Sequence, residues 1–123
     1  MVRRTILAAL ALSIASSAQA KPSVSTPVIP SSIAGANHVA CEALNTGTKA
    51  ADVTVEIVDA NTGAQLGLAA GLLPPSIRKT ASIDVSGNFT KFCRVTGLSK
   101  SKVAISFTEF DASNTPLLSV TAP

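Results

Sequence analysis

Residues 52–63, DVTVEIVDANTG, carry the clearest strand pattern in the chain and end in a turn. Between Asp52 and Asp59, β-branched residues alternate with polar ones, as in a strand with one buried and one solvated face. The apolar set is Val53, Val55 and Ile57. The ANTG that follows is typical of a turn, because asparagine hydrogen-bonds to nearby backbone and glycine accepts a positive φ. This stretch therefore predicts the first strand and the turn of an antiparallel hairpin.

Short strands of this kind recur along the chain. The predicted strands cover residues 37–44, 52–59, 64–73, 79–85, 89–96, 102–110 and 117–121. Segment 64–73 is the hardest to assign, since it is rich in glycine, alanine and leucine until Pro74 and Pro75 end it. No segment has the 3.6-residue apolar period of a helix. Strands at a spacing of about 8–12 residues predict an all-β sandwich or barrel, and we expect an antiparallel β-sandwich of about seven short strands.

Residues 1–20 have the three parts of a secretory signal peptide. Arg3 and Arg4 give a positive start, residues 6–15 (ILAALALSIA) are a short apolar run, and residues 18–20 (AQA) form a small-x-small cleavage site. We therefore predict that residues 1–20 are removed and that the protein is exported, to a periplasm or to the outside of the cell.

The rest of the chain divides into two predicted parts. Residues 21–36 are an extended lead-in rich in proline and serine, either a linker or an irregular first edge strand. Residues 37–123 are the β-sandwich domain, which is long enough to bury a single core. After Ala20 no apolar run approaches the roughly 20 residues of a membrane span, so we predict no transmembrane segment in the mature chain.

The charge balance argues against a nucleic-acid partner. The whole chain has a formal net charge of +3. Without Arg3 and Arg4, eight basic residues stand against seven acidic ones, a net charge of +1. A chain with so small an excess of positive charge lacks the electrostatic footprint of a nucleic-acid-binding protein. The composition points the same way, since the stacking rings that single strands require are limited to four phenylalanines.

The two cysteines, Cys41 and Cys93, fall on the apolar faces of an early and a late predicted strand. In an exported protein an even number of cysteines favours a disulfide, so we predict a Cys41–Cys93 bridge between two packed sheets. It would close a loop of about 50 residues and stabilise the fold by roughly 4 kcal/mol. This logic is immunoglobulin-like, although the chain has no tryptophan for the core of that fold. The alternative, free or catalytic thiols, has less support because the chain has no CxxC motif.

The order of these segments along the chain is similar to that in a known class of proteins. A cysteine strand, the DVTVEIVDANTG hairpin, a proline pair, FCRVTG at 92–97, KVAISFTEFDASNTP at 102–116 and a short last strand follow one another within residues 37–122. This order resembles small exported bacterial β-sandwich proteins of unassigned function, of immunoglobulin-like or fibronectin-III-like type. The resemblance implies the fold and the exported location, and it implies no catalytic residues.

The residues that carry chemistry are few and scattered. His38 is the only histidine and cannot form a zinc site alone, and no G-x-S-x-G turn supplies a nucleophile. The segments that begin at Asp59 and Asp111 fit hairpin turns better than calcium loops. Glu42 and Glu56 are expected on polar strand faces, and the other acids at turns and solvent faces. We predict no catalytic residue, no cofactor and no metal.

By elimination, we predict a non-enzymatic exported module that binds another exported protein or a component of the cell envelope, or has a structural role there. A lead-in or a last strand could add to the sheet edge of a partner. Two alternatives stay open. One is an enzyme inhibitor that presents residues 71–76 (GLLPPS), and the other is a pilin-like assembly subunit. The sequence predicts neither the partner nor the oligomeric state.

Overall fold

A computed structural model of the chain describes residues 21–29, 34–84 and 90–122. The predicted signal peptide, residues 1–20, lies outside the described residues. The strands are β1 Ser23–Ser25, β2 His38–Asn45, β3 Ala51–Asp59, β4 Gln65–Leu73, β5 Arg78–Asp84, β6 Lys91–Thr96, β7 Val103–Phe110 and β8 Pro116–Thr121. A single turn of 3₁₀ helix at Lys100–Lys102 leads into β7.

The strands form two four-stranded antiparallel sheets. Sheet A has the order β1-β6-β3-β4, and sheet B has the order β5-β2-β7-β8. The hairpins β3–β4 and β7–β8 each stay within one sheet, whereas the other connections from β2 onward cross from one sheet to the other. The predicted all-β fold with two antiparallel layers is confirmed for the described part of the chain.

The strand boundaries follow the sequence pattern closely. Each of the seven predicted strands has a counterpart from β2 to β8, shifted by one or two residues at its ends. The segment that was hardest to assign is a regular nine-residue strand, β4. Residues 85 and 89, at the ends of two predicted strands, lie outside the described residues. The lead-in supplies β1, an eighth strand, which was one of its two expected forms.

The core is formed by alternate residues of the inner strands of both sheets. Fully buried positions include Val39 on β2, Val55 and Ile57 on β3, Val95 on β6 and Phe107 on β7. Ile29, which follows β1, is also buried in this cluster. Each buried aliphatic or aromatic side chain of this size contributes about 1.5–3 kcal/mol through removal of apolar surface from water.

The predicted disulfide is present. Cys41 and Cys93 lie on β2 and β6, with their Cα atoms 5.6 Å apart, and both are fully buried. Each strand is flanked by a neighbour on both sides of its own sheet, so the bridge joins the interiors of the two layers.

The strand order differs from that of a constant immunoglobulin domain beside the two cysteine strands. In that fold the strand after the second cysteine pairs beside it in the same sheet. Here β7 follows the Cys93 strand but pairs with β2, the Cys41 strand, in sheet B. The place beside β6 is taken by β1, the first strand of the described chain.

Candidate functional site

The two residues predicted as a structural pair, Cys41 and Cys93, are not available for chemistry in the oxidised protein. The chain has no free cysteine. A buried disulfide sulfur is neither a thiolate nucleophile nor a metal ligand. The bridge therefore serves as a covalent tie between the layers.

His38 lies on the outer face of sheet B, at one end of β2. Its ring stacks on Phe110 of β7, with ring centroids 5.0 Å apart and an interplanar angle of 13°. Nδ1 lies 3.1 Å from Oδ1 of Asn37. These contacts are those of a cross-strand aromatic pair, since His38 and Phe110 are opposite one another in the register. Phe110 is half-buried in this stack.

The structure does not bring Glu42 and Glu56 together. Glu42 lies on β2 in sheet B and pairs with Arg78 at 3.2 Å. Glu56 lies on β3 in sheet A, where Arg94 Nε donates to Oε1 at 3.2 Å and Gln65 Nε2 donates to Oε2 at 2.8 Å. Because the two carboxylates are on opposite layers and engaged with different cations, they do not form the facing pair of a glycosidase.

The pKa of Glu56 departs from its ordinary value. Partial burial would raise this pKa, but the hydrogen bonds from Arg94 and Gln65 and the charge of Arg94 outweigh that effect and lower it. Glu56 is therefore an ionised surface anchor between β3, β4 and β6, and not a proton donor at neutral pH.

The aspartates that began the two calcium-like segments close turns. Oδ1 of Asp59 accepts hydrogen bonds from the backbone N–H of Asn61 and of Thr62, at 2.8 and 3.4 Å. Oδ1 of Asp111 accepts from the backbone N–H of Ser113 and of Thr115, both at 2.9 Å. Each carboxylate thus satisfies backbone N–H groups of its hairpin turn, as aspartate does in Asx turns.

One buried pair was missed by the sequence analysis. Nζ of Lys91 on β6 lies 2.7 Å from Oε1 of Glu109 on β7, across the interior of the sandwich. Both side chains are at most 2% exposed. No described residue donates a hydrogen bond of good angle to either oxygen of Glu109, so the contact is primarily an ion pair. The expectation that the acids lie at turns and solvent faces was wrong for Glu109.

The alternation of inward and outward residues along β6 and β7 already indicated that both charged side chains are buried. Lys91 continues the inward face of Cys93 and Val95, and Glu109 continues that of Ile105 and Phe107. Charged residues are rarely buried without a partner. Two opposite charges on inward positions of different strands therefore could have been read as a pair.

Asn45, the last residue of β2, is another buried polar residue. Its Nδ2 donates to the carbonyl oxygens of Lys49 and Leu73, each at 2.9 Å, and its Oδ1 accepts from Gly47 N–H at 2.9 Å. The backbone oxygen of Asn45 accepts from Ser76 N–H at 2.8 Å. One side chain thus fixes the loop after β2 to the turn between β4 and β5, at what we call the Asn45 end of the sandwich.

Residues 71–76, the segment considered as an inhibitory loop, divide between a strand and this turn. Gly71 to Leu73 are the last residues of β4, and Pro74 accepts a hydrogen bond from Ile77 N–H at 3.3 Å. Ser76 has a positive φ of 63° and is tied to Asn45. The connection is short and anchored on both sides.

The same end has an open depression of about 350 Å³, lined by residues 47–51 and 97–99 with Pro22 and Lys102. Its lining brings together none of the residues singled out from the sequence. Within residues 21–29, 34–84 and 90–122, no three histidine, cysteine or acidic residues are placed to hold a metal ion. Nor does any helix in those ranges have the length and apolar character to cross a membrane.

The four sheet edges differ in how they are protected against pairing. An edge strand exposes unpaired N–H and C=O groups, and natural proteins guard it by shortness, charge or proline. β1 has only three residues, β5 begins with Arg78 and Lys79, and β8 begins with Pro116. β4, QLGLAAGLL, has nine residues with no charge and no proline.

The outer face of β4 is also apolar. Leu68 is 54% and Leu72 is 61% exposed, and Ala70 between them is exposed as well. The inner face of β4 packs closely against β5. At Gly67 the approach is so close that an added Cβ would lie 2.7 Å from the Ile83 side chain. We call residues 65–73, with this outer row of Leu68, Ala70 and Leu72, the β4 edge. It is the candidate binding surface.

Comparison with known proteins gives a fold and no function. No protein-family model and no curated protein matches the chain. The structure is similar to one described as the crystal structure of Thermotoga maritima 1070, with a TM-score of 0.50 and 12% sequence identity. The match covers 86% of this chain and 96% of that one. At this identity the likeness concerns the arrangement of the strands alone.

Proposed function

We propose that this protein is an exported, non-enzymatic β-sandwich module that binds a protein partner by strand addition to the β4 edge. In this mode the main-chain groups of the added strand give affinity, and side-chain contacts at alternate residues give specificity. A partner strand would complete the open hydrogen bonds of β4 and cover the leucines of its outer face.

The observation that carries the proposal is the contrast among the four edges. Three are guarded by shortness, charge or proline within the strand, whereas the longest edge strand, β4, has no charge and no proline and is irregular only near its start, where the pairing with β3 shifts between Gly67 and Gln65. An exposed, long and apolar edge is a pairing hazard for a monomer. An edge of this kind is therefore expected to have a partner in the working protein.

The exported location is supported by two independent features. The buried Cys41–Cys93 disulfide suits an oxidising compartment such as the periplasm or the extracellular space. Residues 1–20 have the pattern of a signal peptide.

The test compares three tagged baits in the exported fraction of the source cells. These are the wild type, Ala70→Lys on the β4 edge, and Ser82→Lys on the edge strand β5. Both substituted residues are exposed and outward-facing, so the control introduces the same charge on the opposite layer. The proposal expects one protein to be captured by the wild type and by Ser82→Lys and lost with Ala70→Lys.

Hydrogen exchange then locates the contact. Binding of the captured protein is expected to slow amide exchange in residues 65–73 of the wild type. Capture that is unchanged by Ala70→Lys, or exchange in residues 65–73 that is unaffected by the partner, would contradict the proposal.

A further inference from the structure

We infer that the strand added to the β4 edge is β4 of a second copy of this chain, which pairs antiparallel about a two-fold axis at Ala70. This inference rests on the proposed function, because it names the partner of the same edge. A two-fold interface is isologous, so the surface must be complementary to itself.

Residues 68–72 of β4 are self-complementary about Ala70. In an antiparallel pair centred there, Leu68 of one copy lies opposite Leu72 of the other, and Ala70 lies opposite Ala70. On the inner face, Ala69 lies opposite Gly71, so that small residues meet small residues. The four leucines would form one apolar row across the outer faces of the two joined sheets, where cross-strand neighbours are in contact.

No charge on β4 itself opposes pairing with a second copy. In a two-fold pairing only the residue at the axis lies opposite its own copy, so like charges would meet directly only at position 70. None of the nine residues of β4 is charged, and the ammonium group of Lys79 on β5 lies near Gly71 on the inner face. β5, in contrast, carries Arg78, Lys79 and Asp84.

The contact area determines how stable the proposed dimer is expected to be. A single strand pair with four leucines is small beside the roughly 1,200–2,000 Å² of a standard stable interface. The dimer is therefore expected to be weak and to depend on concentration. The product is an eight-stranded sheet that runs continuously through both copies, with sheet B of each copy packed against its own half.

The experiment is sedimentation equilibrium of the full mature protein over a wide concentration range. The wild type and Ser82→Lys are expected to shift from monomer to dimer together. Ala70→Lys places two ammonium groups opposite each other and is expected to weaken dimerisation by at least about tenfold. Leu72→Thr, which introduces a residue that favours strands but removes the apolar contact, is also expected to weaken dimerisation.

A charge exchange tests the register. Ala70→Glu alone is expected to be as monomeric as Ala70→Lys, whereas an equimolar mixture of the two variants is expected to form a heterodimer. Restored pairing in the mixture also shows that the variants are folded. Failure of the mixture to pair, when the wild type does dimerise, would overturn the Ala70-centred register.

Different experimental results would contradict the second-copy inference and the proposed function. If the wild type stays monomeric at all concentrations but its bait loses a captured protein on Ala70→Lys, the second copy is overturned and the β4 edge remains a binding surface. If the wild type is monomeric and captures nothing through β4, both are overturned.

Discussion

Nζ of Lys91 and Oε1 of Glu109 lie 2.7 Å apart in the interior of the sandwich, one on each sheet. Removal of one partner leaves the other charge buried, which costs about 3–5 kcal/mol, whereas replacement of both by apolar residues is often neutral. Lys91→Met and Glu109→Leu are each expected to destabilise the fold by that amount, and the double variant by less than about 1 kcal/mol. Urea denaturation of the four proteins measures the coupling. A double variant whose loss equals the sum of the single losses would show that the pair is not coupled.

The disulfide is expected to provide a large share of the stability. Replacement of both cysteines, Cys41→Ala with Cys93→Ala, removes a link between residues 52 positions apart. The loop-entropy model gives a loss of about 4 kcal/mol, out of a typical net stability of about 5–15 kcal/mol. The free energy of unfolding in urea is the measurement. The control is a thiol assay of the unreduced wild type in denaturant, and two reactive thiols there would contradict the bridge.

Gly97, directly after β6, is expected to tolerate no side chain. Its φ is +114°, and a Cβ would overlap the carbonyl oxygen of Asp52 on the neighbouring strand. Gly97→Ala is therefore expected to cost more than about 2 kcal/mol, because strain and overlap add. Gly63→Ala is the matched control. Gly63 also has a positive φ, +76°, but nothing lies within 4 Å of its Cβ position, so only the backbone strain of about 1 kcal/mol applies. Equal losses in the two variants would refute the steric argument.

The Glu56 contact predicts a small pH dependence. Since the pKa of Glu56 is lowered by folding, the contact stabilises the protein above the unfolded-state pKa of about 4.5, and this contribution is lost as the pH falls through the folded-state pKa. The stability difference between wild type and Glu56→Gln is thus expected to be largest near neutral pH and to shrink on acidification. It is expected to stay below about 1 kcal/mol, because the Arg94 side chain is more than a third exposed.

Thermal or urea unfolding of both proteins from neutral to acidic pH measures this difference. The same comparison in an Arg94→Met background is the control, where the dependence on pH is expected to be weaker. A difference that grows as the pH falls would have the wrong sign for a lowered pKa.

The strands could be predicted from the sequence because each has one buried face. The alternation of Val53, Val55 and Ile57 with polar residues marks β3 whatever it packs against, and the two cysteines fell on buried faces of their strands. The expected bridge between layers followed from these two facts. β4 was harder because its glycines and alanines carry little alternation, and Gly67 is explained only by the nearby Ile83 side chain.

The sequence alone could not predict which residues that are far apart in the chain come into contact. The alternation places Lys91 and Glu109 on inward faces, but it does not show that their strands pack against each other. Nor does it show that Asn45 reaches the carbonyl of Leu73 or that β4 is an edge. These facts depend on strand order, which a single chain's local patterns do not contain. The candidate binding surface follows from strand order, so it could be found only in the structure.

The lead-in has a consequence for the order of folding. Thr26 N–H donates to the carbonyl of Cys93 at 2.9 Å, and its Oγ1 accepts from Cys93 N–H at 3.0 Å, between residues 67 positions apart. Ile29 and Lys91 exchange a similar pair of backbone bonds. Pairings between such distant parts of a chain slow folding, because the loop must close before the contacts form. During synthesis the first strand therefore stays unpaired until Cys93 has been made. The sheet that contains the proposed binding edge has all its strands once β6 is made, before β7 and β8 of the other sheet follow.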